Sequence, residues 1–522
     1  MSRISGIFHP TNVSLQADTT NAEGYAAWNR PLEEQYLQML LTNTFGGTYY
    51  AKKKDSIKEA FELHDEMIAK DPLFAAKAIV YARNEGYMRS NPIYGLAKLS
   101  SVDVKHGRHF EGIFDDVIRT PNDLSDFMTI LNGLGRGQGG KRIKRAVNNW
   151  LASKLSSYWV IKYGSDNKTG YSLKDIIRTT HPNFPLRLGD LKDGSRAAKV
   201  ALFVQYLLGK AEAVDLLPKI KAFEQFKKAT TSEEKVALIA AANLPHEVAS
   251  TFAGKDSAIW KAIGEQMPIF AMLKNLATFE RHRIADDLRD IIIAKLNNPE
   301  AIAKSKILPY RFYDAYLKVS NGWLKDVLRK GLELAMCNIP DIPGKTTIFL
   351  DISGSMRQNN ITTAAIFALA LMKKATYDAK LVLFDTATTV FPFSAMDSIL
   401  TQAETIHTRG GTNTACCMQF LVAEHAYGRP PTDNIIVITD EQQNRGAPFM
   451  NLLAAYKQRI NKNVKTFIVN VADEKGSLLP TAPDTYYVYG WSDKVLNFIS
   501  MEATGLGGMV EHVRAQGTIA GH

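Results

Sequence analysis

The feature that most limits the fold of this chain is a helical hydrophobic period that continues for about 300 residues. From about Leu32 to Met336, apolar side chains recur three and four residues apart, and no strand pattern interrupts them. One bundle core cannot serve so many helices, because a single core stops growing well below this length. We therefore predict about fifteen helices stacked as a solenoid, which gives an extended concave surface or a closed ring. Either shape suits a long flexible ligand better than a small molecule.

Proline steps mark the predicted helix boundaries, because proline starts a helix more readily than it continues one. The boundaries are predicted at Asp71-Pro72, Asn91-Pro92, Thr120-Pro121, Leu217-Pro218, Leu244-Pro245, Asn298-Pro299 and Leu308-Pro309.

The pattern changes at residues 337–344, where two prolines and a glycine precede a β-branched run. Buried strands are predicted at 345–351, 379–384, 434–439 and 464–471, with helices at 362–376, 415–426 and 449–459. Apolar strands alternating with helices predict a doubly wound, mostly parallel α/β sheet. Ligands of such a sheet bind at the carboxyl ends of its strands. The predicted domains are residues 1–340, all α, and residues 341–522, α/β.

The positive charge lies in the helical part of the chain. Residues 1–340 contain 48 Lys and Arg against 37 Asp and Glu, whereas residues 341–522 contain 15 against 16. This asymmetry favours a polyanionic partner for the helical part, although a basic surface that serves only solubility gives the same count.

The cellular setting is predicted from three cysteines and from the lack of a long apolar segment. Cys416 and Cys417 are adjacent, and vicinal pairs rarely form a bridge, so a reducing compartment is expected. No run of 18 apolar residues and no secretory leader pattern occurs, so we expect a cytoplasmic protein without membrane attachment.

Oxygen-bearing side chains follow two predicted strands and a loop between them. Asp351, Ser353 and Ser355 follow the first strand, Thr412 lies in the sequence Gly-Gly-Thr-Asn, and Asp440 follows the third strand. Hydroxyl and carboxylate oxygens that meet at one sheet edge favour a hard cation, Mg²⁺ or another divalent ion, over Zn²⁺. A serine-rich turn beside unrelated aspartates is the structural alternative.

Two enzymatic interpretations are excluded by their missing residues. No G-x-S-x-G surrounds the serines, and no general base stands near the predicted site, which argues against a hydrolase. The glycine segment at 135–141 resembles a phosphate-binding loop, but Arg142 occupies the place of the required Ser or Thr. We therefore expect a protein without enzymatic activity.

Cations occupy the start of the helix that follows this glycine segment. Lys141, Arg142, Lys144 and Arg145 lie where the helix dipole favours acids, so an anion such as phosphate is expected nearby. A merely solvated basic face is the alternative.

A second basic segment predicts a mixed cationic and aromatic surface. Lys174, Arg178 and His181 follow at spacings of four and three residues, so they are predicted to share one helix face, with Tyr171 nearby. Flat rings among cations suit both phosphate charge and base stacking. Taken alone, His181 also fits a structural residue that closes the helix before Pro182.

The five metal-site residues resemble the metal-ion-dependent adhesion site of von Willebrand factor A domains. In that family the serines and the threonine contact the metal, the aspartates act largely through waters, and one position stays open for a partner's carboxylate. Together with the motifs at 135–150 and 168–181, the whole chain resembles the Ro ribonucleoprotein autoantigen family, which joins a TROVE domain to a von Willebrand A domain.

This resemblance implies a multidomain fold in which HEAT-like helical repeats close into a monomeric ring beside the von Willebrand A domain. It implies that Y-like small noncoding RNA binds the basic outer face, and that single-stranded 3′ ends of misfolded or structured RNA enter a central hole. Bacterial relatives imply a 3′-to-5′ exoribonuclease partner, polynucleotide phosphorylase. The resemblance also adds Lys168 to the RNA-binding residues, although the family often has arginine there.

A different class of function remains open. A metal-dependent adhesion-type scaffold that binds an acidic protein partner would explain the metal-site residues, but it would leave the basic helical part without a role.

Overall fold

The computed structural model describes most of the 522 residues, in the following ranges: 19–20, 24–27, 29, 31–42, 53–86, 88–102, 109–137, 139–164, 170–184, 195–210, 212–357, 361–471, 485–489, 499 and 509–517. These residues form two compact units. The described parts of 1–91, 302–317 and 328–517 make up the first, and those of 92–301 and 318–327 make up the second.

The described residues between Leu32 and Ala335 are largely helical, as predicted, but the helices are divided more finely than the sequence indicated. Twenty α-helices are described there against about fifteen expected, because several last only one or two turns. They are α1 (Leu32–Thr42), α2 (Lys53–Lys70), α3 (Pro72–Asn84), α4 (Ser90–Val102), α5 (His109–Val117), α6 (Pro121–Gly133), α7 (Lys141–Lys154), α8 (Ser157–Tyr163), α9 (Leu173–Thr180), α10 (Arg196–Leu207), α11 (Glu212–Asp215), α12 (Pro218–Lys228), α13 (Ser232–Ala242), α14 (His246–Ser250), α15 (Ser257–Gln266), α16 (Ile269–His282), α17 (Arg289–Leu296), α18 (Pro299–Ser305), α19 (Pro309–Tyr316) and α20 (Gly322–Ala335).

Every predicted proline boundary coincides with the start of a helix. Five of the prolines are the first helical residue, namely Pro72, Pro121, Pro218, Pro299 and Pro309. The other two lie in the first turn of α4 and at the residue preceding α14. Proline lacks the N–H that a first turn leaves unpaired, and its fixed φ is already helical, so it costs nothing at these positions.

A six-stranded sheet forms the centre of the α/β part of the first unit. After a two-stranded pair, β1 (Thr19–Thr20) and β2 (Ala26–Ala27), its strands are β3 (Thr346–Asp351), β4 (Ala379–Phe384), β5 (Thr388–Val390), β6 (Asn434–Thr439), β7 (Lys465–Asn470) and β8 (Thr485–Tyr489). Their order is β5-β4-β3-β6-β7-β8, parallel throughout except for the antiparallel edge strand β5. The helices of this part are α21 (Ile361–Lys374), α22 (Ile399–Glu404), α23 (Ala415–Ala426), α24 (Phe449–Arg459) and α25 (Met509–Ala515).

The four predicted strands match β3, β4, β6 and β7 to within one residue at either end, and the sheet is mostly parallel as predicted. Strands β3 and β6 are buried along their whole length, which is why they are continuous apolar runs in the sequence. The short edge strand β5 and the last strand β8 were not predicted. The three cysteines are free, as the adjacency of Cys416 and Cys417 indicated.

Within the first unit, the N-terminal helices pack on the C-terminal helix and on β8. Arg514 of α25 contacts three residues of α1 and of the α3 start. Its guanidinium lies 3.1 Å from Glu33 and 2.9 Å from Asp71, and it sits 4.6 Å from the centre of the Phe74 ring. The two ends of the chain are therefore joined by charge-assisted contacts.

The observed architecture confirms a largely helical region followed by a doubly wound α/β sheet. The ring closure, the HEAT-like pairing and the domain boundary at residues 340 and 341 stay predictions.

Candidate metal centre and nucleic-acid interface

The predicted metal-site residues lie at the carboxyl ends of β3 and β6, which are neighbours in the sheet. Asp351, the last residue of β3, is fully buried. One of its carboxylate oxygens accepts the Ser353 backbone N–H at 2.8 Å, and the other accepts the Thr439 hydroxyl at 2.7 Å. These two bonds fix the carboxylate in place.

The serine hydroxyls lie beside the second aspartate. Ser353 Oγ and Ser355 Oγ are 3.2 Å apart at the start of the 3₁₀ turn Gly354–Arg357, and both residues are buried. Asp440 is hydrogen-bonded to the Ser355 side chain and accepts the Gln442 backbone N–H at 3.3 Å. Its other oxygen, Oδ2, is buried and has no hydrogen-bond partner among the residues that the structure describes. A buried carboxylate oxygen without a partner is costly unless a cation or a water meets it.

The loop that carries Thr412 is held by the loop after β6. The Thr412 N–H donates to Asn444 Oδ1 at 2.9 Å, and the Thr412 carbonyl accepts the Asn444 N–H at 3.0 Å. A side chain on Gly411 would place its Cβ only 2.8 Å from Asn444 Oδ1, and Gly410 has a φ of +68°. Both glycines of the Gly-Gly-Thr-Asn sequence are therefore needed to bring Thr412 in so closely.

The electrostatics of this centre favour a bound cation. Burial, and then the nearby charge of Asp440, raises the pKa of Asp351 to about 7. Burial also raises the pKa of Asp440. Two carboxylates held together away from water are unfavourable when both are ionised, and a divalent cation between them removes that cost.

The donor set consists only of oxygen atoms, which fits Mg²⁺ or another hard divalent ion better than Zn²⁺. No cluster of three or more His, Cys, Asp or Glu side chains arranged to hold a metal occurs among the described residues. The predicted site differs from such clusters because three of its five candidate metal ligands are hydroxyl groups of serine or threonine. The unpaired Asp440 Oδ2 and the buried hydroxyls therefore fit the cation that the sequence predicted.

Two residues next to Asp440 were not predicted to lie at the site. Glu441 is buried with a φ of +60°, which is strained for a residue other than glycine, and it accepts Asn470 Nδ2 at 2.6 Å. Gln442 is also buried, and neither of its side-chain amide atoms finds a hydrogen-bond partner in the described part of the chain. No sequence signal marks them, because glutamate and glutamine after a strand ordinarily face solvent.

The first basic segment forms the start of α7, as predicted. Gly140 precedes the helix and provides no side-chain cap, so the first N–H groups of α7 lack an acidic partner from that position. Lys141 and Arg145 are exposed, and Arg142 and Lys144 are half-buried.

The four cations of α7 differ in their partners. Arg142 and Arg145 both approach the Glu111 carboxylate of α5, Arg142 at 3.6 Å and Arg145 at hydrogen-bonding distance. Lys141 and Lys144 have no ion-pair partner among the described residues. Glu111 therefore offsets part of the positive charge of α7. The sequence of α7 alone does not reveal this, because Glu111 belongs to α5.

The buried face of α7 anchors the helix in the second unit. Trp150 is fully buried, and its indole N–H donates to the Ile118 carbonyl at 2.6 Å. Helix α7 also packs against α9, which carries the second basic segment. The two predicted RNA-binding segments are thus neighbours.

Helix α9 begins with a capping box, in which the Ser172 hydroxyl accepts the Asp175 N–H and the Asp175 carboxylate accepts the Ser172 N–H. Lys174 is half-buried and Arg178 is exposed. One predicted detail is wrong: α9 ends at Thr180, so His181 does not continue its face. His181 is the C-cap, in a left-handed conformation with φ 49°, and its exposed ring follows the helix.

A shallow open depression of about 480 Å³ adjoins α9. It is lined by Thr129, Gly170, Tyr171, Asp175, Arg178 and Thr179. The depression thus brings Tyr171 and Arg178 together, as a stacking and phosphate-binding surface requires. Lys168 lies outside the described residues.

Two protein families match this chain. The TROVE domain matches residues 245–330, and the von Willebrand factor type A domain matches residues 347–483. The RNA-binding protein RO60 of Caenorhabditis elegans is 25% identical over 309 residues, which is 47% of this chain and 48% of that protein. The chain therefore spans about half the length of this curated relative.

A solved structure extends the likeness over nearly the whole fold. The crystal structure of the Deinococcus radiodurans RO (RSR) protein has a TM-score of 0.66 and 20% sequence identity, and the match covers 90% of this chain and 100% of that chain. At this identity the match shows the shared fold. A TROVE match, a following von Willebrand A match and the RO60 relative all indicate similarity to Ro proteins.

The chain is similar to Ro proteins.

All five predicted metal-site residues of the Ro-like protein fall inside the von Willebrand A match. The basic helices α7 and α9 precede the TROVE match, so their roles depend on the geometry of this chain. None of the described helices is long and apolar enough to cross a lipid bilayer.

Proposed function

We propose that this Ro-like protein binds RNA through the basic surface of α7 and α9 and that it cleaves nothing itself. Its ligands are a Y-like small noncoding RNA and structured or misfolded RNAs with a single-stranded 3′ end. A 3′-to-5′ exoribonuclease of the polynucleotide phosphorylase type would then process the bound RNA.

The observation that carries this proposal is the start of α7. Four cations lie at the positive end of a helix dipole, beside N–H groups that no side chain of Gly140 caps. Glu111 offsets only part of this charge, so a bound anion such as a phosphate would stabilise the helix start further. The adjacent helix α9 adds Lys174 and Arg178, and the RO60 relative is an RNA-binding protein.

Recognition by such a surface depends on shape and charge more than on sequence. Lysine and arginine contact phosphates, and Tyr171 offers a ring on which an unpaired base can stack. Binding should therefore release counterions and weaken steeply with salt.

We propose further that Asp351, Ser353, Ser355, Thr412 and Asp440 hold Mg²⁺ or another divalent cation. When bound, the ion would supply an open coordination position for an anionic oxygen. The protein would fix the carboxylates through the Thr439 and Ser355 hydroxyls and keep bulk water away by burying them.

The test of the RNA proposal compares a hairpin that has a single-stranded 3′ tail with the same hairpin without the tail, at several salt concentrations. Changing Lys174 and Arg178 to Ala should lower the slope of log affinity against log salt by about 0.9 for each lost phosphate contact. Lys58 and Lys462 are exposed cations far from these helices in the sequence, so changing both to Ala gives a charge-matched control.

Equal slopes for the two double variants would remove α9 from the RNA surface. A full loss of RNA binding on changing Ser353 and Asp440 to Ala, with the α9 variant unaffected, would favour the metal-dependent scaffold for an acidic protein partner.

A further inference from the structure

Each of the three loops that build the candidate metal centre carries one exposed arginine. Arg357 follows Ser355 in the loop after β3, Arg409 precedes the glycines of the Thr412 loop, and Arg445 lies in the loop after β6.

The backbone of two of these arginines is tied directly to the centre. The Arg409 N–H donates to the carbonyl of Ile352, next to Ser353, at 2.6 Å. The Arg445 N–H donates to the carbonyl of Thr412 at 3.1 Å. Arg357 also reaches the middle loop, with Nε 3.5 Å from the Thr408 hydroxyl. The three loops are therefore interlocked, and each places a cation at the same sheet edge.

No exposed acid balances these cations within the three loops. In residues 353–357, 406–414 and 440–447 the acidic residues are Asp440 and Glu441, and both are buried. Arg409 donates to Asp385 at 2.9 Å, yet 62% of its side chain remains exposed. Arg445 has no ion-pair partner among the described residues. Once a divalent ion offsets the two buried aspartates, the charges that an approaching ligand meets at these loops are positive.

We propose that the metal centre and its three arginines bind a terminal phosphate group of an RNA strand. This inference rests on the divalent metal site of the proposed function. A phosphate monoester carries about two negative charges at neutral pH and three equivalent acceptor oxygens. One oxygen can complete the coordination of the ion, while the other two accept the planar guanidinium groups.

The arrangement fits a phosphate better than a single carboxylate of a protein partner. A carboxylate has two oxygens, so with one on the metal only one remains for an arginine. Three arginines on three separate loops exceed what that ligand can satisfy. A terminal phosphate is also more accessible than an internal phosphodiester, which has only two unesterified oxygens.

The experiment uses the full chain and separates metal binding from phosphate binding. Mn²⁺ is first titrated with electron paramagnetic resonance as the readout. A short fluorescent single-stranded RNA is then bound in Mg²⁺ or in EDTA, with a phosphate at its 5′ end, at its 3′ end or at neither. Inorganic phosphate and a glutamate-rich peptide serve as competitors.

We expect at least one phosphorylated RNA to bind about tenfold more tightly than the unphosphorylated strand in Mg²⁺, since a charge-assisted hydrogen bond contributes about this factor. EDTA should abolish the difference, and so should changing Arg357 and Arg445 to Gln. Changing Lys58 and Lys462 to Gln is the matched control, because it also removes two exposed charges, one from α2 and one from the loop between α24 and β7, at the opposite edge of the sheet. It should leave the difference intact.

The possible failures are distinguishable. Mn²⁺ binding without a preference for phosphorylated RNA would overturn the phosphate inference and leave the metal site standing. Absence of Mn²⁺ binding would overturn both. Competition by the glutamate-rich peptide but not by inorganic phosphate would identify a protein carboxylate as the ligand. Variants of Lys174 and Arg178 should weaken all three RNAs equally, so a failed α9 surface would leave the phosphate preference unchanged.

Discussion

The shared carboxylate of Glu111 provides a direct test of the charge on α7. Arg142 and Arg145 both approach this one carboxylate, so Glu111→Gln should release one net positive charge without removing any cation. If that charge meets one additional phosphate, the slope of log affinity against log salt should steepen by about 0.9. The counterion-release contribution to affinity is taken as zero at 1 M salt. At 0.15 M salt, a slope steeper by this amount then corresponds to about a fivefold gain in RNA affinity.

The assay is fluorescence anisotropy with a tailed RNA hairpin at several salt concentrations. The Glu111 side chain is only 18% exposed, so a urea titration should first show that Glu111→Gln is as stable as the original chain under the assay conditions. Glu62→Gln is the control, since it removes the same charge from the exposed pair with Lys58 on α2. An affinity gain of equal size in both variants would mean that only net charge matters. No gain in Glu111→Gln would refute the assignment of α7 to the RNA surface.

Three further predictions follow from individual contacts. Lys144→Ala should lower RNA affinity about fivefold at 0.15 M salt. Arg145→Ala should lower it less, because Arg145 already pairs with Glu111. Binding titrations of the two variants test this difference. Trp150→Phe should lower the free energy of unfolding by about 2 kcal/mol in urea titrations, because a buried carbonyl loses its donor, and it should leave the salt slope unchanged. Asp351 has a pKa of about 7 in the folded chain and an ordinary value of 3.8. In EDTA and between these two pH values, the folded state therefore holds a proton on Asp351 that the unfolded state has lost. Stability should then fall by about 3 kcal/mol as pH rises from 4 to 7, and either Asp351→Asn or added Mg²⁺ should remove that fall; a flat profile in the EDTA-treated protein would contradict this reasoning.

The order and type of the main elements could be read from the sequence because local physics determines them. Prolines open helices wherever they stand, so each predicted boundary reappeared as a helix start. Strands buried on both faces must be apolar along their length, which made β3, β4, β6 and β7 visible with bounds accurate to one residue. The three-residue edge strand β5 carries no comparable signal, because it pairs on one side only.

The metal-site residues could be selected from the sequence because parallel strands bring their carboxyl ends to one edge. The contacts around those residues could not be predicted from the sequence. That Asp440 keeps one carboxylate oxygen unpaired, that Gln442 is buried beside it, and that Asn444 draws the Thr412 loop inward depend on contacts between loops far apart in the chain.

The cations of α7 and α9 show the same division. Their presence and helical spacing are properties of the sequence alone, and the structure brought the two helices together as neighbours. The pairing of two arginines with Glu111 and the position of His181 beyond the end of α9 were decided by tertiary packing and by a left-handed cap. Sequence determines which charges a helix carries, because side-chain chemistry is local. Only the folded structure decides which of those charges remain available to a ligand, because electrostatic pairing depends on distance in space and not along the chain.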